Sequence, residues 1–164
     1  VEEVQSTPID LNDDSAVYHA LEGVDAIVSV IGGEKGTRAS GIERLVQNAQ
    51  KNGIVRIISI GGAGILSLPD GGLLKEQSFF PNVLIPISNA HYDAWKILEK
   101  SSLSWTMICP GTMNDGVSKA SYRHQADSTV SDMKGVFYDD VAHLILQCLE
   151  QETYVKKRVS ISNP

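Results

Sequence analysis

Two short apolar runs, each ending in a pair of glycines, are the segments of this chain best suited to hold a ligand. Residues 25–33 read D-A-I-V-S-V-I-G-G, and residues 55–64 read V-R-I-I-S-I-G-G-A-G. A strand that is apolar on both faces belongs in a parallel sheet covered by helices on both sides, and such sheets bind ligands at the carboxyl ends of their strands. Glycine there lets a ligand approach the backbone. Two such pairs indicate a nucleotide-type crevice; the alternative is that each pair only forms a tight turn.

Titratable side chains that could take part in a reaction lie in residues 89–100, where the apolar spacing predicts a helix. His91 and Trp95 share one side of that helix, and Tyr92 and Lys96 share the neighbouring, more polar side. We therefore expect Tyr92 and Lys96 to be solvated and Trp95 to serve packing. His91 is either a site residue or a histidine bonded to the backbone near the helix start.

Strands and helices alternate along the chain in the order that would position these residues. Strands are predicted at residues 1–7, 26–31, 55–60, 105–109 and 158–162, with a short one at 118–123; helices at 13–21, 37–52, 89–100 and 138–149; and irregular chain at 61–87 and 112–135. This alternation predicts an α/β fold with a doubly wound parallel sheet and right-handed crossovers. We expect one domain over residues 1–164.

Composition and charge exclude several classes of function. The 164 residues carry 14 basic and 20 acidic side chains, a net charge of −6, so we expect no nucleic-acid partner. No apolar run reaches the length of a membrane span, so we expect no membrane partner. Cys109 and Cys148 lie in apolar segments without a nearby His or Cys at metal-ligand spacing. We therefore predict no metal site and a reducing, cytoplasmic location.

Taken together, these segments resemble the atypical short-chain dehydrogenases/reductases. The most similar subgroup is the NAD(P)H-binding proteins related to the NmrA-like group and to flavin/biliverdin reductase type B. The resemblance rests on motifs that follow the family's order over nearly the whole chain. They are D-L-N-D at 10–13, L-E-G-V-D-A at 21–26, G-G at 32–33, V-R at 55–56, G-G-A-G at 61–64, L-S-W-T at 103–106, P-G at 110–111, D-D-V-A at 139–142 and K-R-V-S-I at 157–161. Ile9 departs from the pattern, since the family usually has glycine there.

The resemblance implies a Rossmann-like fold, NADP or NAD as the cofactor, and three groups of cofactor-binding residues. They are Asp10 and Leu11 at the adenine, Val30, Ile31, Gly32 and Gly33 at the adenosine ribose, and Gly61, Gly62, Pro110, Gly111 and Thr112 at the nicotinamide. Asp10 has the alternative role of a turn-forming side chain before a helix.

The resemblance also shows which catalytic groups of the family have no match here. The family's serine position matches Gly62, and Ser59 inside the strand is interpreted as a core hydroxyl. Tyr92 and Lys96 have the family's Tyr-x-x-x-Lys spacing, in which the tyrosine transfers the proton and the lysine lowers its pKa. His91 matches a histidine that lies near the cofactor in the flavin/biliverdin reductase type. His91, Tyr92 and Lys96 are thus the catalytic candidates.

The sequence contains no G-x-G-x-x-G fingerprint for the pyrophosphate of the cofactor. The resemblance begins at the family's third strand, so the fold is expected to be N-terminally truncated by one βαβ unit of roughly 40 residues. Either the chain is a fragment or the protein lacks that phosphate grip. The edge strand left exposed would tend to pair with another chain, which predicts a homo-oligomer.

Two functions from different classes remain compatible with the sequence. The first is direct hydride transfer from NAD(P)H to a flat small-molecule acceptor such as a flavin, quinone or tetrapyrrole, with solvent supplying the proton. The loop at 61–87, with Leu73, Leu74, Phe79 and Phe80, would cover that acceptor or pack on its own core. The alternative is a catalytically inactive NAD(P)-sensing or protein-interaction module. A third option is a remnant that folds only as an oligomer.

Overall fold

The strands of this protein form one large sheet and one small one. A computed structural model describes residues 4–33, 36–117 and 120–164, and within these ranges the large sheet has five strands. In chain order the strands are β1 (Ala26–Ser29), β2 (Arg56–Ile60), β3 (Ser104–Pro110), β4 (Met113–Asn114), β5 (Arg123–Ala126), β6 (Val136–Phe137) and β7 (Lys157–Ser162). The large sheet has the order β1-β2-β3-β7-β5, and only β5 runs antiparallel to its neighbour. β4 and β6 pair in parallel and form the small sheet.

Helices cover both faces of the large sheet. Those in the described ranges are α1 (Asp14–Ala20), α2 (Thr37–Lys51), α3 (Ile85–Lys100) and α4 (Tyr138–Glu150). Ile57 of β2 packs with side chains of α1, α2 and α3 in one core, whereas Ile58 packs with α4 in a second core. Because successive strand side chains point to opposite faces, β2 is apolar on both faces, as predicted. The predicted α/β Rossmann-like fold is confirmed. Among the residues described, no helix is both long and apolar enough to cross a bilayer.

The predicted helix ends follow from local chemistry. The Asp13 carboxylate accepts hydrogen bonds from the backbone N–H groups of Ser15 and Ala16, which satisfies two donors that the first turn of α1 leaves free. Gly53 follows α2 with φ +74, a left-handed conformation that glycine adopts at little cost. These contacts fix where the chain leaves each helix and returns to the sheet.

The predicted first strand is wrong over residues 4–7. These residues form no regular structure, and residues 1–3 lie outside the described ranges. A strand needs a neighbour to satisfy its backbone N–H and C=O groups, and the large sheet places no strand beside residues 4–7. The strand predicted at 118–123 is also displaced. It begins at Arg123 as β5, and residues 118–119 are outside the described part of the chain.

The irregular segment predicted at 61–87 is partly ordered. It contains 3₁₀ turns at Ala63–Ile65, Leu74–Glu76 and Asn82–Leu84, and α3 begins at Ile85, four residues before the predicted start. The earlier start is compatible with Pro86, because a proline in the first turn of a helix removes an N–H that has no intrahelical partner. The loop therefore leads directly into the helix that carries the titratable candidates.

Candidate functional site

A cavity of about 580 Å³ lies at the carboxyl ends of β2 and β3. Its wall comes from the turn after β2, the start of α3, the turn after β3, and the chain before β6. The lining residues are Gly61, Gly62, Ala63, Gly64, Leu74, Phe79, Phe80, Pro81, Leu84, Ile87, Ser88, His91, Pro110, Gly111, Thr112, Met113, Met133, Lys134 and Gly135. Most of these residues are apolar, so the cavity is suited to a flat or hydrophobic ligand with few polar contacts.

His91 of α3 packs its ring directly over Gly62. A methyl group placed on Gly62 would lie 2.9 Å from Cδ2 and 3.2 Å from Nε2 of His91, so a side chain there would displace the imidazole. His91 is 8% exposed, and its Nδ1 has no hydrogen-bond partner among the described residues. The ring that lines the cavity therefore occupies the space that a side chain at position 62 would need.

His91 is neutral at pH 7. Burial of the ring, with a smaller contribution from the positive charge of Arg38, lowers the pKa of His91 from 6.5 to about 4. Arg38 lies in the first turn of α2 and is itself buried, and its Nη1 donates to the carbonyl oxygen of Ile31 at 2.7 Å. A neutral imidazole can donate one hydrogen bond and accept another, but it cannot act as an imidazolium acid near neutral pH.

The other glycines of the turn after β2 also admit neighbouring side chains. A methyl group on Gly61 would lie 2.8 Å from Cγ and Sδ of Met107 and 2.9 Å from Sγ of Cys109. One on Gly64 would lie 2.4 Å from Oγ and 2.9 Å from Cβ of Ser88. In proteins, Cβ atoms essentially never lie within 3.0 Å of a non-bonded heavy atom. The turn therefore needs glycine so that β3 and α3 can pack closely against it.

Arg158 of β7 holds the loop that follows this turn. Its Nη1 donates to the carbonyl oxygen of Ile65, and its Nη2 donates to Oγ of Ser67 at 3.1 Å. The guanidinium also lies 4.1 Å from the ring centroid of Trp95, a cation–π contact with α3. The loop, the helix and the sheet are thus joined at one buried side chain beside the cavity.

The turn after β1 is built differently and lies away from the cavity wall. A methyl group on Gly32 would have no atom of a described residue within 4 Å, and Gly33 has φ +104. Neither glycine lines the cavity, and the same holds for Val30 and Ile31. The second pair lines the cavity, and the first pair follows β1, the parallel neighbour of β2. One crevice shared by both pairs therefore stays a prediction.

The predicted adenine contacts also lie outside the cavity wall. Oδ1 of Asp10 accepts from the backbone N–H of Asn12 at 2.8 Å and from its side-chain amide at 3.1 Å, which forms a turn before α1. Leu11 packs against the core around α1 and α2. The structure therefore shows the turn-forming contact of Asp10, which was the alternative interpretation of this residue.

Tyr92 and Lys96 do not line the cavity. Lys96 pairs with Glu99 on the same helix, as expected for a solvated side chain. Tyr92 is half-buried, packs edge-on against Trp95 with ring centroids 5.4 Å apart, and lies 4.1 Å from the ammonium group of Lys75. Full solvation of Tyr92 is therefore wrong, because neighbouring side chains cover its ring.

All five predicted nicotinamide contacts and His91 line the cavity. One segment of the wall was not predicted from the sequence. The five are Gly61, Gly62, Pro110, Gly111 and Thr112. The missed segment is residues 133–135, which reach the cavity because β6 pairs with β4 and the N–H of Val136 donates to the carbonyl oxygen of Thr112 at 2.9 Å. Gly135 is the only local signal there, and the contact itself depends on tertiary pairing.

Comparison with known proteins connects this geometry with a family. Residues 1–152 match the model of the family described as NAD(P)H-binding. Among curated proteins, a sequence comparison finds no match to this chain.

Solved structures share the fold. A Burkholderia pseudomallei protein provisionally named as exported superimposes on 97% of this chain and 81% of its own, with a TM-score of 0.90 and 26% identity. A Streptococcus pneumoniae protein with the provisional name of an NADH-flavin reductase matches over 95% and 79% of the two chains, with a TM-score of 0.84 and 24% identity. A wide-type short-chain dehydrogenase/reductase from Veillonella parvula, solved in complex with NADP, matches over 94% and 70%, with a TM-score of 0.71 and 15% identity. The chain thus belongs to the NAD(P)H-binding family, and it shares its fold with short-chain dehydrogenases/reductases.

Proposed function

We propose that this protein is a reductase that transfers a hydride from NAD(P)H to a flat small-molecule acceptor, such as a flavin, a quinone or a tetrapyrrole. The observation that carries this proposal is the neutral His91 ring packed over Gly62 in a mainly apolar cavity. Membership of the NAD(P)H-binding family supports the choice of cofactor. The provisional name of the Streptococcus pneumoniae protein, an NADH-flavin reductase, is consistent with a flat acceptor.

The cavity residues fit the nicotinamide end of the cofactor. Gly111 presents only backbone to the cavity. A methyl group there would come into ordinary van der Waals contact with Lys134 and Met133. His91 lines the cavity and offers a polar ring beside the carboxamide or the acceptor, whereas its Nδ1 is buried and has no hydrogen-bond partner among the described residues. When bound, the reduced nicotinamide supplies the hydride. We place the adenosine end along the open turn at Gly32, with the flanking predicted residues Asp10, Leu11, Val30, Ile31 and Gly33.

The protein then acts by positioning the nicotinamide and the acceptor ring, without a protein acid. Gly62 stands at the serine position of the family, and Tyr92 lies outside the cavity wall. Because His91 has a pKa of about 4, it orients a carbonyl group by hydrogen bonding and does not supply the proton at neutral pH. The proton comes from solvent, which a flat acceptor with exposed heteroatoms can reach.

The test is a binding titration followed by single-turnover kinetics. NADH and NADPH are titrated against the protein by their fluorescence, and the complex is then mixed with riboflavin, menadione or biliverdin while absorbance at 340 nm is recorded. We expect one nucleotide to bind and to be oxidised by at least one acceptor. Binding without oxidation by any of the three would favour the NAD(P)-sensing alternative, and no binding would overturn the proposal.

Tyr92→Phe separates this mechanism from acid catalysis by tyrosine. We expect the rate of oxidation at 340 nm to be unchanged, because the phenol hydroxyl lies outside the cavity wall. If Tyr92 transferred the proton, its loss would slow the step by roughly 10²–10⁴-fold. Lys96→Met provides the matched variant one helical turn away, with the same expectation.

A further inference from the structure

The mouth of the cavity carries an apolar patch that stays open to solvent. Phe79, Leu84 and Ile87 line the cavity and are nevertheless 71%, 44% and 46% exposed. Val83 precedes Leu84 on the 3₁₀ turn that leads into α3 and is 82% exposed. We call these four residues the mouth patch. A cluster of large apolar side chains left in water beside a cavity indicates a binding surface for an apolar group.

The cavity offers little charge to an anionic ligand. Among its described lining residues, Lys134 alone carries a formal charge at neutral pH, and its Nζ donates to the main-chain oxygen of Pro164 at 3.0 Å. The other polar side chains of the wall are Ser88, His91 and Thr112. A ligand with phosphate or carboxylate groups would therefore lose hydration without gaining a strong ionic partner.

We propose that the acceptor is an uncharged quinone that carries an apolar tail, with its ring in the cavity beside His91 and its tail along the mouth patch. This inference rests on the proposed function and narrows it to one of the three acceptor classes. A flavin mononucleotide carries a phosphate, and a tetrapyrrole such as biliverdin carries two propionates. Neither charge pattern is matched by the wall, whereas a neutral ring with an apolar substituent matches both the cavity and the patch.

The reaction is balanced with solvent as the only further participant. The quinone gains a hydride from the reduced nicotinamide and a proton from water. One C–H bond of the nicotinamide and one O–H bond of water break, two O–H bonds form on the quinone, and the products are the hydroquinone, the oxidised nicotinamide and hydroxide. His91 contributes a hydrogen bond to a ring carbonyl, and the mouth patch contributes affinity through the tail.

The test measures binding in the absence of NAD(P)H. A benzoquinone with a decyl tail, its parent without the tail and flavin mononucleotide are compared by equilibrium dialysis, below the concentration at which the decyl compound forms micelles. We expect the decyl compound to bind at least about tenfold more tightly than its parent, since burial of two methylenes already corresponds to that ratio. Flavin mononucleotide should not displace it.

Surface variants localise the tail. Val83→Ser, which lies outside the cavity wall, should reduce the preference for the decyl compound severalfold while leaving the affinity for the parent unchanged. Phe79→Ser should lower the affinity for the decyl compound more than the affinity for the parent. Leu146→Ser is the matched control, because Leu146 is also exposed but lies on α4, which packs on the opposite face of the sheet. We expect no change in preference for that variant.

Three outcomes would overturn the inference. They are equal affinity for the two quinones, tighter binding of flavin mononucleotide, and a tail preference that the mouth-patch variants leave intact. Failure of the proposed function has a different signature. In that case the decyl quinone binds with the expected preference but oxidises no NAD(P)H. Conversely, oxidation of NAD(P)H by flavin without quinone binding would leave the reductase function standing and remove only this inference.

Discussion

The turn after β1 and the turn after β2 both contain paired glycines, but their surroundings differ. Among the described residues, a methyl group on Gly32 would meet no atom within 4 Å. The same group on Gly61, Gly62 or Gly64 would lie 2.8, 2.9 or 2.4 Å from the nearest side-chain atom. Side chains from β3 and α3 fill the space at the second turn, whereas no described residue approaches Gly32 in the first.

This difference separates two uses of glycine at the end of a strand. In the second turn, the missing side chains let β3 and α3 come close to the backbone. Side chains of β3 and α3 fill the space beside these glycines, and the cavity lies next to them. In the first turn, the missing side chain at Gly32 leaves room that no described residue takes up. The absent side chain at Gly32 is therefore the one that we propose makes room for the cofactor, whereas the absent side chains of the second turn serve packing at the cavity wall.

The largest expected effect concerns the histidine that fills the space over Gly62. The pKa of His91 is about 4 in the folded chain, against 6.5 in a solvated one, because burial and the charge of Arg38 disfavour the imidazolium. Between these values the unfolded chain binds more protons than the folded one, so the free energy of unfolding falls as the pH drops below 6.5. The loss through this side chain reaches about 3 kcal/mol at pH 4.

Denaturant unfolding of the wild type and His91→Gln between pH 7 and pH 4 measures this contribution. Other titrating groups are common to both proteins, so the difference between the two curves should change by that amount. Gly62→Ser should also flatten the dependence, since its side chain displaces the ring toward solvent. Parallel curves for the wild type and His91→Gln would show that the ring is not held in a buried, neutral state.

A smaller effect is expected from filling the second turn. Gly64→Ala should lower the free energy of unfolding by about 2 kcal/mol, because overpacking a close contact typically costs 1–3 kcal/mol. Ser88→Ala removes the nearer of the two clashing atoms, so the double variant should recover part of the loss. Urea unfolding of the two single variants and the double variant closes this cycle. Additive losses would mean that the two residues are not in contact.

Much of the fold follows from patterns local to the chain. β2 was predictable because Ile57 and Ile58 each need an apolar neighbour on opposite faces. Asp13 and Gly53 marked the ends of α1 and α2 because capping is a property of a few adjacent residues. The start of α3 was missed because Pro86 is a helix breaker at most positions and is accepted in the first turn.

The site was less predictable because its contacts join distant segments. Residues 133–135 enter the cavity wall only through the pairing of β6 with β4. The glycine pairs are similar in sequence, and their difference depends on whether His91 or another side chain arrives from elsewhere in the fold. Glycine spacing therefore located the end of a strand correctly, but it did not distinguish a space kept for a ligand from a space filled by a neighbour.

The smallest stability effect, and the sharpest test of the comparison, is expected at the first turn. Gly32→Ala should change the free energy of unfolding by less than about 0.5 kcal/mol, since the added methyl meets no atom and replacing glycine restricts the unfolded chain. It should nevertheless weaken NAD(P)H binding severalfold if this space holds the cofactor. Gly33→Ala is the matched control for stability. Because Gly33 has a φ of +104, which is strained for alanine, that substitution should lower the free energy of unfolding by about 1 kcal/mol or more. Unchanged NAD(P)H affinity in Gly32→Ala, measured by fluorescence titration, would show that the open space beside β1 does not receive the cofactor.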